Sequence, residues 1–179
     1  RGEISGVAPQ ATLVPFRAIK SVVQVLDSDV ARAVNLARER GCDIISMSLG
    51  GRGFIGLQEA IAAAVADGVI VMAAAGNKVS FVVAPASYPE CLAVAATNCD
   101  SKPWTDSSHG VAVDISAPGE SVWSARVDVE SRPPRFFQAR SDGTSYSVAT
   151  LAGVAALWLA HYGPQQIRRR SGPANVESA

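Results

Sequence analysis

The sequence predicts an α/β fold, a parallel sheet flanked by helices, and two observations carry the prediction. Three apolar runs have the length of buried strands: "ATLVPFRAI" (11–19), "CDIISMSLG" (42–50) and "VIVMAAAGN" (69–77). Two segments with helical spacing, 28–41 and 56–68, lie between them. Strands joined by helices of about a dozen residues form βαβ units, and such units set their strands parallel in one sheet.

Taken in order, 11–19 reads as the first strand. In 28–41, Val30, Ala33, Val34 and Ala37 share one helical face while Arg32, Asn35, Arg38 and Glu39 share the other. Ser28 is the expected N-cap and Gly41 the stop. The run 42–50 is apolar without alternation and contains β-branched residues, as in a strand covered on both faces. Residues 56–68 form the next helix, closed by Gly68, and 69–77 the next buried strand. Shorter strands are expected at 91–98, 111–119 and 121–126. Residues 127–142, "VDVESRPPRFFQARSD", are interrupted by proline and read as a surface hairpin or lid. The last helix follows "GTS" at 143–145; between Val148 and Ala160 its one polar side chain is Thr150. The domain is expected over 1–163, with a polar tail over 164–179.

With 179 residues, 48% hydrophobic and 18% charged, the chain suits one domain with a full core. Sixteen basic residues balance sixteen acidic ones, so no overall field favours nucleic acid or an anionic membrane. Arg168, Arg169 and Arg170 read as part of a solvated tail. The longest apolar run, 151–160, is too short for a bilayer, which needs about 20 residues. No membrane or nucleic-acid partner is expected. The chain opens on Arg-Gly-Glu, with neither a leader nor an initiator Met, so its start is not expected to be the native one. Cys91 and Cys99 bracket a strand of roughly 26 Å, too long for a disulfide, and Cys42 reads as a small core residue. The compartment stays open.

In open α/β sheets the binding crevice lies beyond the carboxyl ends of the strands. Here those ends carry "SLGGRG" and "AAAGN". Gly51 to Gly56 fit G-x-G-x-x-G, the dinucleotide pattern, but no acidic residue stands at the end of the next strand, as that pattern requires. "GTS" allows two readings. A serine in the first turn of a helix sits in the positive end of the macrodipole, where free N–H groups can receive an oxyanion. Alternatively, Thr144 or Ser145 simply caps the helix. Asn77 is likewise either an amide donor to developing negative charge or a turn residue after Gly76.

Five blocks in order carry a resemblance over about Gly6 to Tyr162: "GVAPQATLVPFRAI", "DIISMSLGG", "GVIVMAAAGN", "YPECLAVAATN" with "VDISAPGESVWSA", and "GTSYSVATLAGVAAL". The chain resembles the subtilisin-like serine proteases, the subtilase or peptidase S8 family. The resemblance implies the C-terminal portion of a three-layer catalytic domain, and a serine endopeptidase that works through an acyl-enzyme. It makes Ser145 the nucleophile, and Asn77 with the Ser145 backbone N–H the oxyanion hole. It implies that Ser48, Leu49 and Gly50 pair with an extended peptide as an added strand. It also makes Ala74, Ala75 and Gly76 a wall of the pocket for the side chain preceding the scissile bond, with room for a large apolar group. Peptides or proteins would be the substrates. No cofactor is required; calcium stabilises the family, but no loop matches such a site and no metal ligand is assigned. Secretion is implied by the resemblance alone.

The family's catalytic Asp and His both lie upstream of "GVAP", and this chain begins too late to contain either. An upstream part of the same domain is therefore expected, and these residues alone are expected to be nearly inert. In subtilisin, a relative, loss of the triad costs about 10⁶-fold in kcat. Neither His109 nor His161 is expected to replace the base. After the nucleophile the family has Met-Ala-x-Pro-His where this chain has Tyr146-Ser147-Val148-Ala149-Thr150, so Tyr146 is expected to reshape the leaving-group side. The alternative function is a catalytically degenerate subtilase that binds peptides or a partner. A dinucleotide-binding domain is the third reading.

Overall fold

The computed structural model describes residues 4–19, 23–24 and 28–163. Its elements in chain order are β1 (Val23–Gln24), α1 (Ser28–Glu39), β2 (Ile44–Met47), β3 (Gly50–Gly51), α2 (Ile55–Ala66), β4 (Ile70–Ala74), β5 (Leu92–Thr97), β6 (Ile115–Pro118), β7 (Val122–Asp128), β8 (Arg135–Ser141) and α3 (Thr144–Tyr162). The main sheet has the order β2-β4-β5-β6 and is parallel throughout. Its register sets Ile44 beside Ile70, Met72 beside Leu92 and Val94 beside Ile115.

Alternation along β4 builds the layers. Val71 and Ala73 join a cluster with Leu57 and Ile61 of α2 and Val30, Val34 and Ala37 of α1. Met72 and Ala74 face the other way, onto Val94, Ala117 and Val148 of α3. Two helices thus cover one face of the sheet and α3 crosses the other, giving three layers. Burial of α1 follows the sequence pattern, with Val30, Val34 and Ala37 inside. Arg38 adds an exposed ion pair to Asp67, at 3.4 Å, where α1 and α2 end side by side.

Three expectations need correction. Residues 11–19 form no strand, although Phe16, Ala18 and Ile19 pack against the core. A strand exists only through pairing, and none of the described strands pairs with this segment; Pro15 also removes a donor within it. The strand expected over 111–119 shortens to β6, because Gly110 starts a turn in which its carbonyl accepts from Val113, and Val111 stands in solvent. Ladder bonding resumes near Asp114, whose N–H donates to Ala93 O and whose carboxylate accepts from the Ala93 N–H. Finally, the strand at 121–126 runs on to Asp128 and leaves the main sheet, pairing antiparallel with β8.

That pairing makes the excursion a hairpin. Its far end is held by Asp128, whose carboxylate accepts from the Ser131 hydroxyl at 2.6 Å and from the Glu130 and Ser131 N–H groups at 3.0 and 3.3 Å. These donors, the Ser131 hydroxyl foremost, hold the carboxyl below its ordinary range. The expected tail, 164–179, lies outside the described residues. All three cysteines are free. Among the described residues no helix is long and apolar enough to cross a membrane, and no cluster of His, Cys, Asp and Glu could hold a metal ion.

Candidate active site

The carboxyl ends of β2 and β4 open onto a crevice of about 1010 Å³. Ser48, Leu49 and Gly50 line it on one side, Ala74, Gly76 and Asn77 on another, and Thr144 and Ser145 of α3 close it. Seven of the eight residues singled out from the sequence therefore meet in one place. Ala75 does not. Its side chain is fully buried with Ala73 and Ala93 in the core beneath α1 and α2. Alternation along the strand was the signal available: Ala74 and Ala75 must point to opposite faces.

Gly76 shapes the turn that presents Asn77. Its φ of 117° lies where side chains are strained, and an added Cβ would stand 2.7 Å from Ser108 Oγ and 3.2 Å from Val83 Cγ1. Bonds pin the turn on either side: the Ala75 N–H donates to Val94 O, the Ser108 N–H to Gly76 O, and the Lys78 N–H to Asp106 O. Asn77 is thus fixed by backbone on both flanks.

Thr144 is not a helix cap. Gly143 occupies the capping position and, having no side chain, makes no capping bond. The Thr144 hydroxyl instead donates to Asn77 Oδ1 at 2.9 Å, and the Thr144 N–H donates to the same oxygen at 2.9 Å. The hydroxyl also accepts from the Gly76 N–H at 3.3 Å. With Oδ1 taken by two donors, the orientation of the amide follows from its bonding, and Nδ2 is the end left without a partner among the described residues. A Cβ on Gly143 would stand 3.4 Å from Nδ2, so only a glycine there keeps the approach to that donor open.

Ser145 follows in the first turn. The Tyr146 N–H closes on Gly143 O, whereas the Ser145 N–H has no partner among the described residues. First-turn amides lack intrahelical acceptors and carry the positive end of the dipole. Asn77 and Ser145, each with a donor that has no partner among the described residues, therefore line one crevice. The Ser48 hydroxyl donates to the Ser145 carbonyl at 3.3 Å, tying the second wall to the same turn.

One further feature departs from expectation. Gly50 and Gly51 already have a strand partner, since β3 pairs parallel with β1, Val23 beside Gly50. On the other side the Gly51 N–H donates to Ala84 O. Among the described residues no strand pairs with Ser48 or Leu49, which lie between β2 and β3. The glycine run that fits the dinucleotide pattern without its acidic residue serves packing. The Phe54 N–H at the head of α2 donates to the Tyr88 hydroxyl at 2.7 Å, and a Cβ on Gly53 would stand 3.2 Å from the same oxygen.

Tyr146 carries a contact that sequence reasoning missed. Arg126 of β7 donates to its hydroxyl at 2.9 Å and also to Ser141 Oγ, docking the hairpin beside the turn that carries Ser145. Neither histidine lines the crevice: His109 Nδ1 lies 3.4 Å from Ser107 O, and His161 packs edge-on against Tyr162.

Comparison with known proteins gives concordant findings. The profile of the Subtilase family, peptidase S8, matches residues 1–170. Subtilisin DY from Bacillus licheniformis is 33% identical over 176 residues, covering 93% of this chain and 62% of its own length. The prenylagaramide maturation protease PagA superposes with a TM-score of 0.77 at 32% identity, covering 96% of this chain and 62% of that one. The PatG macrocyclase, solved in complex with peptide, superposes with a TM-score of 0.64 at 29% identity, covering 79% and 42%. The chain thus spans somewhat over three-fifths of subtilisin DY and of PagA.

Proposed function

The chain belongs to the subtilase family of serine proteases, and from that premise we propose that the complete protein is a serine endopeptidase. Ser145 is its nucleophile, and Asn77 Nδ2 with the Ser145 N–H is its oxyanion hole. One observation supports this most: Thr144 occupies the acceptor end of the Asn77 amide, leaving the donor end free at a crevice shared with Ser145.

In the reaction the Ser145 hydroxyl oxygen bonds to the scissile carbonyl carbon, and its proton passes to a general base. Family membership supports a histidine as that base, and neither His109 nor His161 lines the crevice. The carbonyl electron pair moves onto oxygen, where the two donors stabilise it. Collapse restores the carbonyl and expels the amine, which takes up the proton. Water then hydrolyses the acyl ester and regenerates the hydroxyl. An extended peptide would pair along Ser48 and Leu49, and its advance to Gly50 would require β1 to share or leave that edge. The pocket bordered by Ala74 and Gly76 would take a large apolar side chain.

A fluorophosphonate probe tests the reading on the full-length protein. Labelling is expected, and Ser145→Ala should abolish it. A protein that binds peptides but stays unlabelled would be a degenerate subtilase instead. Membership also supports secretion, which recovery of the protein from medium rather than cell pellet would test.

A further inference from the structure

The crevice is neutral along nearly its whole length. Beyond Ser145 and Asn77 it continues over Phe81, Val82, Val83 and Ala84, and the one ionisable side chain on its lining is Arg52. Arg52 is exposed and makes no ion pair or hydrogen bond with the described residues. A lone guanidinium at the border of an apolar surface keeps its full charge and its forked donors for an incoming group. Low-dielectric walls strengthen any ion pair made there, relative to one in open water.

The geometry points to Arg52 as a determinant of substrate choice: we infer that it selects peptides with a carboxylate side chain three to five residues before the scissile bond. The inference rests on the peptidase reading above and deepens it. Ser48 marks the reacting end, because its hydroxyl touches the Ser145 carbonyl. From Ser48 the chain runs through the extended pair Gly50–Gly51 to Arg52. Four extended steps span roughly 13 Å, and a peptide lying alongside, with β1 sharing or leaving the edge at Gly50, advances by the same step per residue. Arg52 therefore stands beside the fourth or fifth residue of such a peptide, counted from the reacting end, and the reach of its side chain adds the third. Its preferred partner is an acid: a guanidinium forms two parallel hydrogen bonds with a carboxylate, whereas a basic side chain there is repelled.

Cleavage of a peptide library by the full-length protein tests this. Asp or Glu is expected over Asn or Gln at one of those three positions, by about threefold to tenfold in kcat/KM, and less at high salt. Arg52→Gln should bring that ratio to about one, and Arg52→Glu should turn the preference towards Lys and Arg. Preference at the residue directly before the cleaved bond should not move. Binding supplies the second readout: Ser145→Ala protein is titrated with fluorescent peptides that differ only in Glu or Gln at the chosen position. Cleavage and probe labelling without charge preference would overturn the role of Arg52 and leave the peptidase reading intact. Tighter binding of the Glu peptide, lost in Arg52→Gln, would support it even in a protein that neither cleaves nor labels. Absence of both cleavage and binding would overturn the two together.

Discussion

Asn77 and Thr144 are 67 positions apart, yet the use of one depends on the other. An isolated asparagine amide can rotate to offer either end. Two bonds from Thr144 to Oδ1 remove that freedom and leave Nδ2 as the outward donor. Thr144 thus acts as a positioning residue, and substitution should expose this. Thr144→Val removes the hydroxyl at similar volume, and kcat of the full-length protein should fall by about tenfold or more, with KM little changed. Thr144→Ser keeps the hydroxyl and should restore most of the loss. Asn77→Ala should cost more, on the order of the 10²–10³-fold found on removing one such donor in subtilisin, a relative. Steady-state kinetics on the three variants would check the order; a uniform loss in Val and Ser alike would point to packing alone.

At the scale of elements, α3 enters the molecule under unusual constraint. Its first turns are buried at Thr144, Ser147 and Val148, while Val154, Leu157 and Trp158 further along are exposed. Ser147 Oγ is buried without a hydrogen-bond partner among the described residues. It abuts Gly119, just after β6, where an added Cβ would also stand 2.6 Å from Ala96 Cβ. An unsatisfied buried hydroxyl is destabilising, and taking it away removes the desolvation penalty. Ser147→Ala should therefore raise stability by about 1 kcal/mol, read as a higher urea midpoint at unchanged slope. Gly119→Ala should lower it, because β6 and α3 approach too closely for the methyl group. A lowered midpoint in Ser147→Ala would mean that the hydroxyl has a partner in solution.

For the whole molecule, packing of the three layers leaves a titration signature. Cys91 lies at the edge of the core beneath α1 and α2. Burial, with smaller contributions from Asp114 and Glu90, pushes its thiol up from 9.0 to about 12. Between those values the unfolded chain has lost a proton that the folded chain keeps. Stability should therefore fall as pH rises from about 9 to 12, by roughly 1.4 kcal/mol per unit at most from this group. Denaturation midpoints of wild type and Cys91→Ala across that range should diverge accordingly. Below pH 9 the exposed Cys99 should take up an alkylating reagent while Cys91 stays protected. Rapid labelling of Cys91 in the native protein would contradict its burial.

What the sequence determined by itself was local and ordered. Apolar runs of strand length, helical spacing at Val30, Val34 and Ala37, and five blocks in family order sufficed for the parallel α/β fold and for naming Ser145 and Asn77. Tertiary structure alone decided that 11–19 pairs with none of the described strands and that β1 occupies the edge of β3. It also turned an apparent helix cap at Thr144 into the group that aims Asn77. The physical reason is range. Periodicity records which face of an element is buried, whereas a hydrogen-bond partner or a strand neighbour is chosen only when distant segments meet.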